Sequence, residues 1–284
     1  MSTDLERHSA ARPVDFTRGF ARVWRFVATV RRNVETSWSF VVRRRRDRRF
    51  PIQPYDALQI ANALALSATA FALLVILLDP YLPLWPSTLP RPVSGFFRFF
   101  TQFGEANWIL IGAGLAIVVA HLLDPDALKP TERIRRAIRI YAAAYVFLAV
   151  AISGIIANLS KYIIGRARPK LFDGNGSFAF DFLSWNADWA SIPSGHATTG
   201  FAFGVALALL FPRLFWVFLT LGFWIAASRP FIGVHYPSDM LVGGLLGSVT
   251  AWLVARAFAR MRLIFGFDRD GNLVRRKGAS GQLS

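Results

Sequence analysis

Residues 57–78 read ALQIANALALSATAFALLVILL, and after Gln59 only Asn62, Ser67 and Thr69 interrupt the apolar run. About 20 apolar residues are what ~30 Å of hydrocarbon demands of a helix. Five further stretches follow the same pattern: Asn107–Leu123, Ile140–Ser160, Ala197–Phe211, Leu214–Ala227 and Met240–Ala257. The fourth and fifth are short and reach across only with their flanks. The expectation is an all-α protein, a six-transmembrane helix bundle. The composition agrees: among 284 residues 54% are hydrophobic and only 18% charged, with a mean hydropathy of +0.38. That balance excludes an ordinary soluble enzyme and a disordered coil. The absence of cysteine excludes disulfides, thiolate zinc sites and cysteine nucleophiles.

Lys and Arg total 33 against 17 acidic residues, a net charge of +16. With the N-terminus inside, 26 of those 33 cations fall on inner segments and seven on outer ones, so both termini are expected in the cytoplasm. Residues 1–50 lack the apolar core of a cleaved signal peptide, and the first span reads as an uncleaved signal anchor. Within this segment Phe20, Val23, Phe26, Val27, Val30, Val34, Trp38 and Val41 recur at helical spacing between arginines. An interfacial amphipathic helix is expected there, with Arg43–Arg46 against anionic membrane lipids rather than nucleic acid. The chain divides into a basic cytoplasmic N-terminal segment (1–54), a six-span domain (55–260) and a basic cytoplasmic tail (261–284). Between the first two spans a proline-rich stretch leads into Phe96–Phe103, read as a short outer interfacial helix around Arg98. The outer loop from Leu171 to Ile192 carries six Phe and Trp residues that either anchor it at the interface or gate a lipid tail.

Ionisable residues in or beside spans are costly and therefore functional suspects. Three clusters stand out. Lys161, Arg166, Arg168 and Pro169 follow the third span; Pro193, Ser194, Gly195 and His196 precede the fourth; Ser228 and Arg229 end the fifth, with His235 and Asp239 leading into the sixth. The parity of six antiparallel spans puts all three at the outer face. Lys161, Arg168 and Arg229 would gather three cations, an arrangement stable only around an anion. Ser194 and Gly195 sit where free N–H groups and a helix dipole favour phosphate, and arginine matches phosphate oxygens bidentately. His235 has a carboxylate four residues on, able to accept its Nδ1–H and leave Nε2 free. Arg166 and Lys170 lie outside this pattern, Arg166 reading as a head-group contact. Pro230 should pull Arg229 out of helical geometry and end the fifth span there.

The clusters resemble the signature of the type 2 phosphatidic acid phosphatases, or lipid phosphate phosphatases, which share a core with vanadium haloperoxidases. Lys161-x6-Arg168-Pro169, Pro193-Ser-Gly-His196 and Ser228-Arg229-x5-His235-x3-Asp239 occur in order, and the resemblance spans roughly residues 55–260. It implies a metal-free phosphatase without a cofactor, acting through a phosphohistidine. His235 would be the nucleophile, Asp239 its orienting partner, and His196 the general acid. Lys161, Arg168, Arg229, Ser194 and Gly195 would hold the phosphate. The substrates it implies are undecaprenyl pyrophosphate, phosphatidylglycerophosphate, phosphatidic acid or a lipid A phosphate, on the periplasmic face of a bacterial inner membrane. Two other classes share these residues: a non-catalytic phospholipid-binding or transport protein, and a vanadate-dependent haloperoxidase.

Overall fold

The computed structural model describes residues 16–43, 57–81, 86 and 88–276, with side chains from residue 24 in the first segment and from 58 in the second. Most of the arginine run 43–46 lies outside the described residues, as do Pro83 and residues 277–284. The helices are α1 (Phe16–Arg43), α2 (Ala57–Leu77), α3 (Arg91–Gln102), α4 (Ala106–Leu122), α5 (Pro130–Ile164), α6 (Phe172–Asn175), α7 (Gly195–Leu210), α8 (Phe215–Phe231) and α9 (Pro237–Arg260). Each apolar stretch of the sequence lies in its own helix, α2, α4, α5, α7, α8 and α9. Five helical stretches are long and apolar enough to cross a membrane: 58–77, 91–122, 130–164, 212–231 and 237–260. The chain is a multi-pass membrane protein. On α2, Leu64, Leu66 and Ile76 are exposed, which suits a lipid-facing surface.

α7 has 16 residues, and at 1.5 Å per residue it spans only about 24 Å. It lies at the centre, with Ala197, Thr198, Thr199, Gly200, Ala202, Gly204, Ala206 and Ala208 all buried. Small residues let α9 approach closely, as in membrane helix pairs generally. A β-carbon on Gly247 would stand 2.2 Å from the Thr198 carbonyl oxygen, and one on Gly243 would stand 2.5 Å from that of Ser194. The core joins α5, α7 and α9 through Tyr145, Val150, Ala202, Ala206, Ala251 and Phe258, and the Tyr145 hydroxyl donates to the Ala251 carbonyl at 3.2 Å.

Three local features differ from the sequence reading. α5 begins at Pro130, ten residues before the apolar stretch, because Pro130 at its first position and Glu132 bonded back to the Lys129 N–H start a helix there. α8 runs through Pro230 to Phe231 and keeps Arg229 helical. In the last turn a proline forfeits little, and the Ile232, Gly233 and Val234 N–H groups close the end on Ser228, Pro230 and Arg229 carbonyls. After α9 the chain turns back as a hairpin, β1 (Phe265–Phe267) with β2 (Leu273–Arg275), and Phe265 is buried edge-on against Tyr145.

α3 packs its Phe97 ring flat on Phe231 of α8, with centroids 4.1 Å apart, so it is a supporting helix of the bundle. α1 is helical as its spacing suggests. Asn33 is buried and donates to the His121 and Leu123 carbonyls at 2.7 and 3.1 Å, which ties α1 to the end of α4. Its apolar stripe of Phe26, Val27, Val34 and Trp38 stays uncovered by protein.

Candidate active site

The ends of α2, α5 and α8 and the starts of α7 and α9 meet at one end of the bundle, so the three sequence clusters converge. The Lys161 ammonium lies 3.2 Å from where a β-carbon on Gly195 would stand, above the first residue of α7. Ser194 caps that helix, its hydroxyl facing the Ala197 N–H at 3.5 Å, and its own N–H donates to the Asp239 carbonyl at 3.0 Å. A lysine beside the positive end of a helix dipole is an arrangement that an anion between them stabilises.

Arg168 is held by the loop after it, Nε donating to the Ala187 carbonyl at 2.9 Å. Arg229 reaches α3, where Nη1 donates to the Thr101 hydroxyl at 2.7 Å, while its Nε is buried with no hydrogen-bond partner. Neither arginine, nor Lys161, has a carboxylate within ion-pair distance among the described residues. His196 sits among the charges of Arg229, His235, Lys161 and Arg168. Its ring packs on the α3–α4 corner, where a β-carbon on Gly104 would come within 2.5 Å of Cδ2.

His235 is almost fully buried in the turn between α8 and α9. Its Nδ1 faces Asp239 Oδ2 at 3.5 Å, beyond a well-formed hydrogen bond, and is a buried ring nitrogen without a hydrogen-bond partner. Burial pushes the imidazole down to about 4, with Lys161 and Arg168 adding to the effect and Asp239 opposing it. The ring is therefore neutral at pH 7, with a nitrogen lone pair available for attack. Asp239 Oδ2 also accepts from the Ser191 hydroxyl at 2.5 Å and the Tyr236 N–H at 2.9 Å.

Arg166 is no head-group contact. It is 1% exposed, and its guanidinium donates to Asp239 Oδ1 at 2.6 Å and to Asp79 Oδ2 at 2.8 Å. Burial would lower its basicity, but the two carboxylates outweigh that and hold it above the ordinary arginine value. Lys170 instead pairs with Asp188 on the loop surface. Ser228, part of the third motif, turns its hydroxyl back to the Ile225 carbonyl. Sequence reasoning missed Asp79, Ser191, Ser238 and Thr101. Only Asp79 left a signal, a carboxylate closing an apolar span. Among the described residues no three His, Asp or Glu side chains gather as metal ligands do.

The PAP2 superfamily pattern matches residues 142–262, which hold all three clusters. A lipid A 1-phosphatase from Rhizobium johnstonii is 36% identical over 209 residues, 73% of this chain and 84% of the relative. The chain belongs to the PAP2 superfamily. It is accordingly a membrane lipid phosphatase. An undecaprenyl-diphosphatase from Sulfolobus acidocaldarius is 28% identical over 163 residues, 57% of this chain and 68% of that one. Among solved structures, a transmembrane PAP2-type phosphatidylglycerolphosphate phosphatase from Bacillus subtilis superposes with a TM-score of 0.47 at 17% identity, covering 68% of this chain and 94% of that one.

Proposed function

We propose that this PAP2 phosphatase removes the phosphate of a lipid A 1-phosphate through a phosphohistidine, without a metal ion. The observation that carries the mechanism is a neutral, buried His235 beside Lys161 and Arg168, with Arg229 beyond His196, none of the three cations having a carboxylate within ion-pair distance among the described residues. His235 Nε2 attacks phosphorus while the bond from phosphorus to the lipid oxygen breaks, and His196 gives that oxygen a proton. Water then attacks the phosphohistidine, His196 takes the water proton, and inorganic phosphate leaves with the Nε2 lone pair restored. Asp239 orients His235 and balances its developing charge. Lys161, Arg168, Arg229, the Ser194 hydroxyl and the Gly195 N–H hold the equatorial oxygens, which supplies electrostatically what a metal ion would otherwise supply.

The substrate assignment rests on the longer and closer match to the lipid A 1-phosphatase than to the undecaprenyl-diphosphatase. Six crossings, counting short α7, with both termini cytoplasmic would put the site on the periplasmic side of the inner membrane. The uncovered apolar stripe of α1 would lie against the inner leaflet and its anionic lipids. Purified protein given lipid A 1-phosphate, undecaprenyl diphosphate, phosphatidylglycerophosphate and phosphatidic acid, with and without chelator, tests the proposal. The expected result is fastest phosphate release from the first, insensitive to chelator and absent in His235→Ala. A metal requirement or an active His235→Ala variant contradicts the mechanism; preference for another lipid contradicts the substrate.

A further inference from the structure

Asp79 and Arg166 belong to none of the three motifs, yet with Asp239 they form the most buried ionic group among the described residues. Asp79 is 0% exposed and Arg166 1%. One side of the Arg166 fork, Nη1, reaches Asp239 and the Ser238 hydroxyl (2.5 Å); the other, Nη2, reaches Asp79 and the Ser177 carbonyl (2.6 Å). The guanidinium also lies 4.3 Å over the Tyr236 ring. Asp79 is saturated in turn, since Ser238 donates its hydroxyl to Oδ2 at 2.5 Å and its N–H to Oδ1 at 3.1 Å. Asp239 spends Oδ1 on Arg166 and turns Oδ2 toward His235.

Two carboxylates share one guanidinium, so the trio keeps a net charge of −1. If Arg166 faced Asp239 alone, the pair would be neutral and Asp239 would be a weak acceptor for the imidazole. With Asp79 on the other side of the fork, the cation is already balanced.

We infer that Asp79 and Arg166 are positioning residues for phosphoryl transfer: Arg166 fixes the Asp239 carboxylate, and Asp79 offsets the guanidinium charge so that Asp239 remains a strong acceptor for the His235 imidazole. The inference rests on the phosphohistidine reading. It also makes α2 part of the working site, although the superfamily pattern begins only at residue 142. The other charged or titratable groups around His235 are Lys161 from α5, Arg168 from the loop after it and His196 from α7, with Arg229 of α8 beyond His196.

The test uses full-length protein in detergent with 15N-labelled histidine. The chain has four histidines, and His235→Ala assigns the His235 signals. Wild-type protein at pH 7 is expected to show His235 protonated on Nδ1. Asp79→Asn is expected to lose the dominance of that tautomer and to lower kcat about tenfold with KM little changed. The double variant Arg166→Gln, Asp79→Asn removes the ion pair together, leaves no unpaired guanidinium, and should restore the Nδ1–H form while kcat stays low. A folded Asp79→Asn protein with wild-type tautomer and kcat overturns the inference. If that variant does not fold, a double variant lacking the Nδ1–H form overturns it, and one retaining it supports it. Should wild-type protein release phosphate from no lipid, the catalytic reading fails on its own, while the tautomer comparison still decides whether Asp79 acts on His235.

Discussion

The Lys161 ammonium lies over the first turn of α7 at the one position, Gly195, where the chain has no side chain to obstruct it. The 3.2 Å separation from a hypothetical β-carbon is tight, but the obstacle is the end of a flexible side chain. Gly195→Ala should therefore fold normally and displace the lysine. The expected outcome is a fall in kcat/KM of about ten- to a hundredfold with an unchanged thermal midpoint. Phosphate-release kinetics and a melting curve on the same sample check both halves.

Arg229 is held by a single side-chain partner, the Thr101 hydroxyl, and its Nε is buried without a hydrogen-bond partner. Removing a fixed donor to a developing oxyanion costs about 2.7–4 kcal/mol of barrier, so Arg229→Ala should lower kcat about a hundredfold or more. Thr101→Ala leaves the cation in place but untethers it, and a loss of about tenfold or less is expected. Equal losses in the two variants would show that the arginine acts only when the hydroxyl holds it in place.

His235 holds a proton less tightly in the fold than when exposed, at about 4 against an ordinary value of 6.5. Between those values the unfolded chain binds the extra proton and the folded chain does not. This contribution to stability is therefore fully present above about pH 6.5 and is lost as the pH falls toward 4. Melting temperatures in detergent should drop across that interval. The acidic limb of kcat/KM assigned to His235 should likewise lie near pH 4; a limb at 6.5 would mean an imidazole far more solvated than the structure shows.

Gly247 allows α9 to touch the Thr198 backbone, and there the obstacle is a carbonyl oxygen that cannot move aside. Gly247→Ala should destabilise the bundle by about 1–3 kcal/mol or more through overpacking. The thermal midpoint would fall before activity at low temperature does, and an unchanged midpoint would argue against so close a contact.

Much of the fold is legible in the sequence. Each apolar stretch is its own helix because a bilayer-length run of apolar side chains has few other places to go. Convergence of the motif residues followed from the parity of antiparallel spans. Arg166 was misread because local sequence offers two equally good fates for an arginine at a span end, the head-group region or a buried carboxylate. Its partners stand 87 and 73 residues away. Pro230 was misread because the rule for residues preceding proline weighs one steric contact, whereas α3 and the bundle hold the last turn of α8 in place.

Sequence alone settled the solvent and the enzyme class: hydropathy is a sum over neighbouring residues, and the residue types and spacing of the three motifs are those of a phosphatase family. Tertiary structure alone decided which carboxylate answers which cation. Ion pairing in a dry interior depends on distances of a few ångströms between segments far apart in the chain, and no local pattern encodes them.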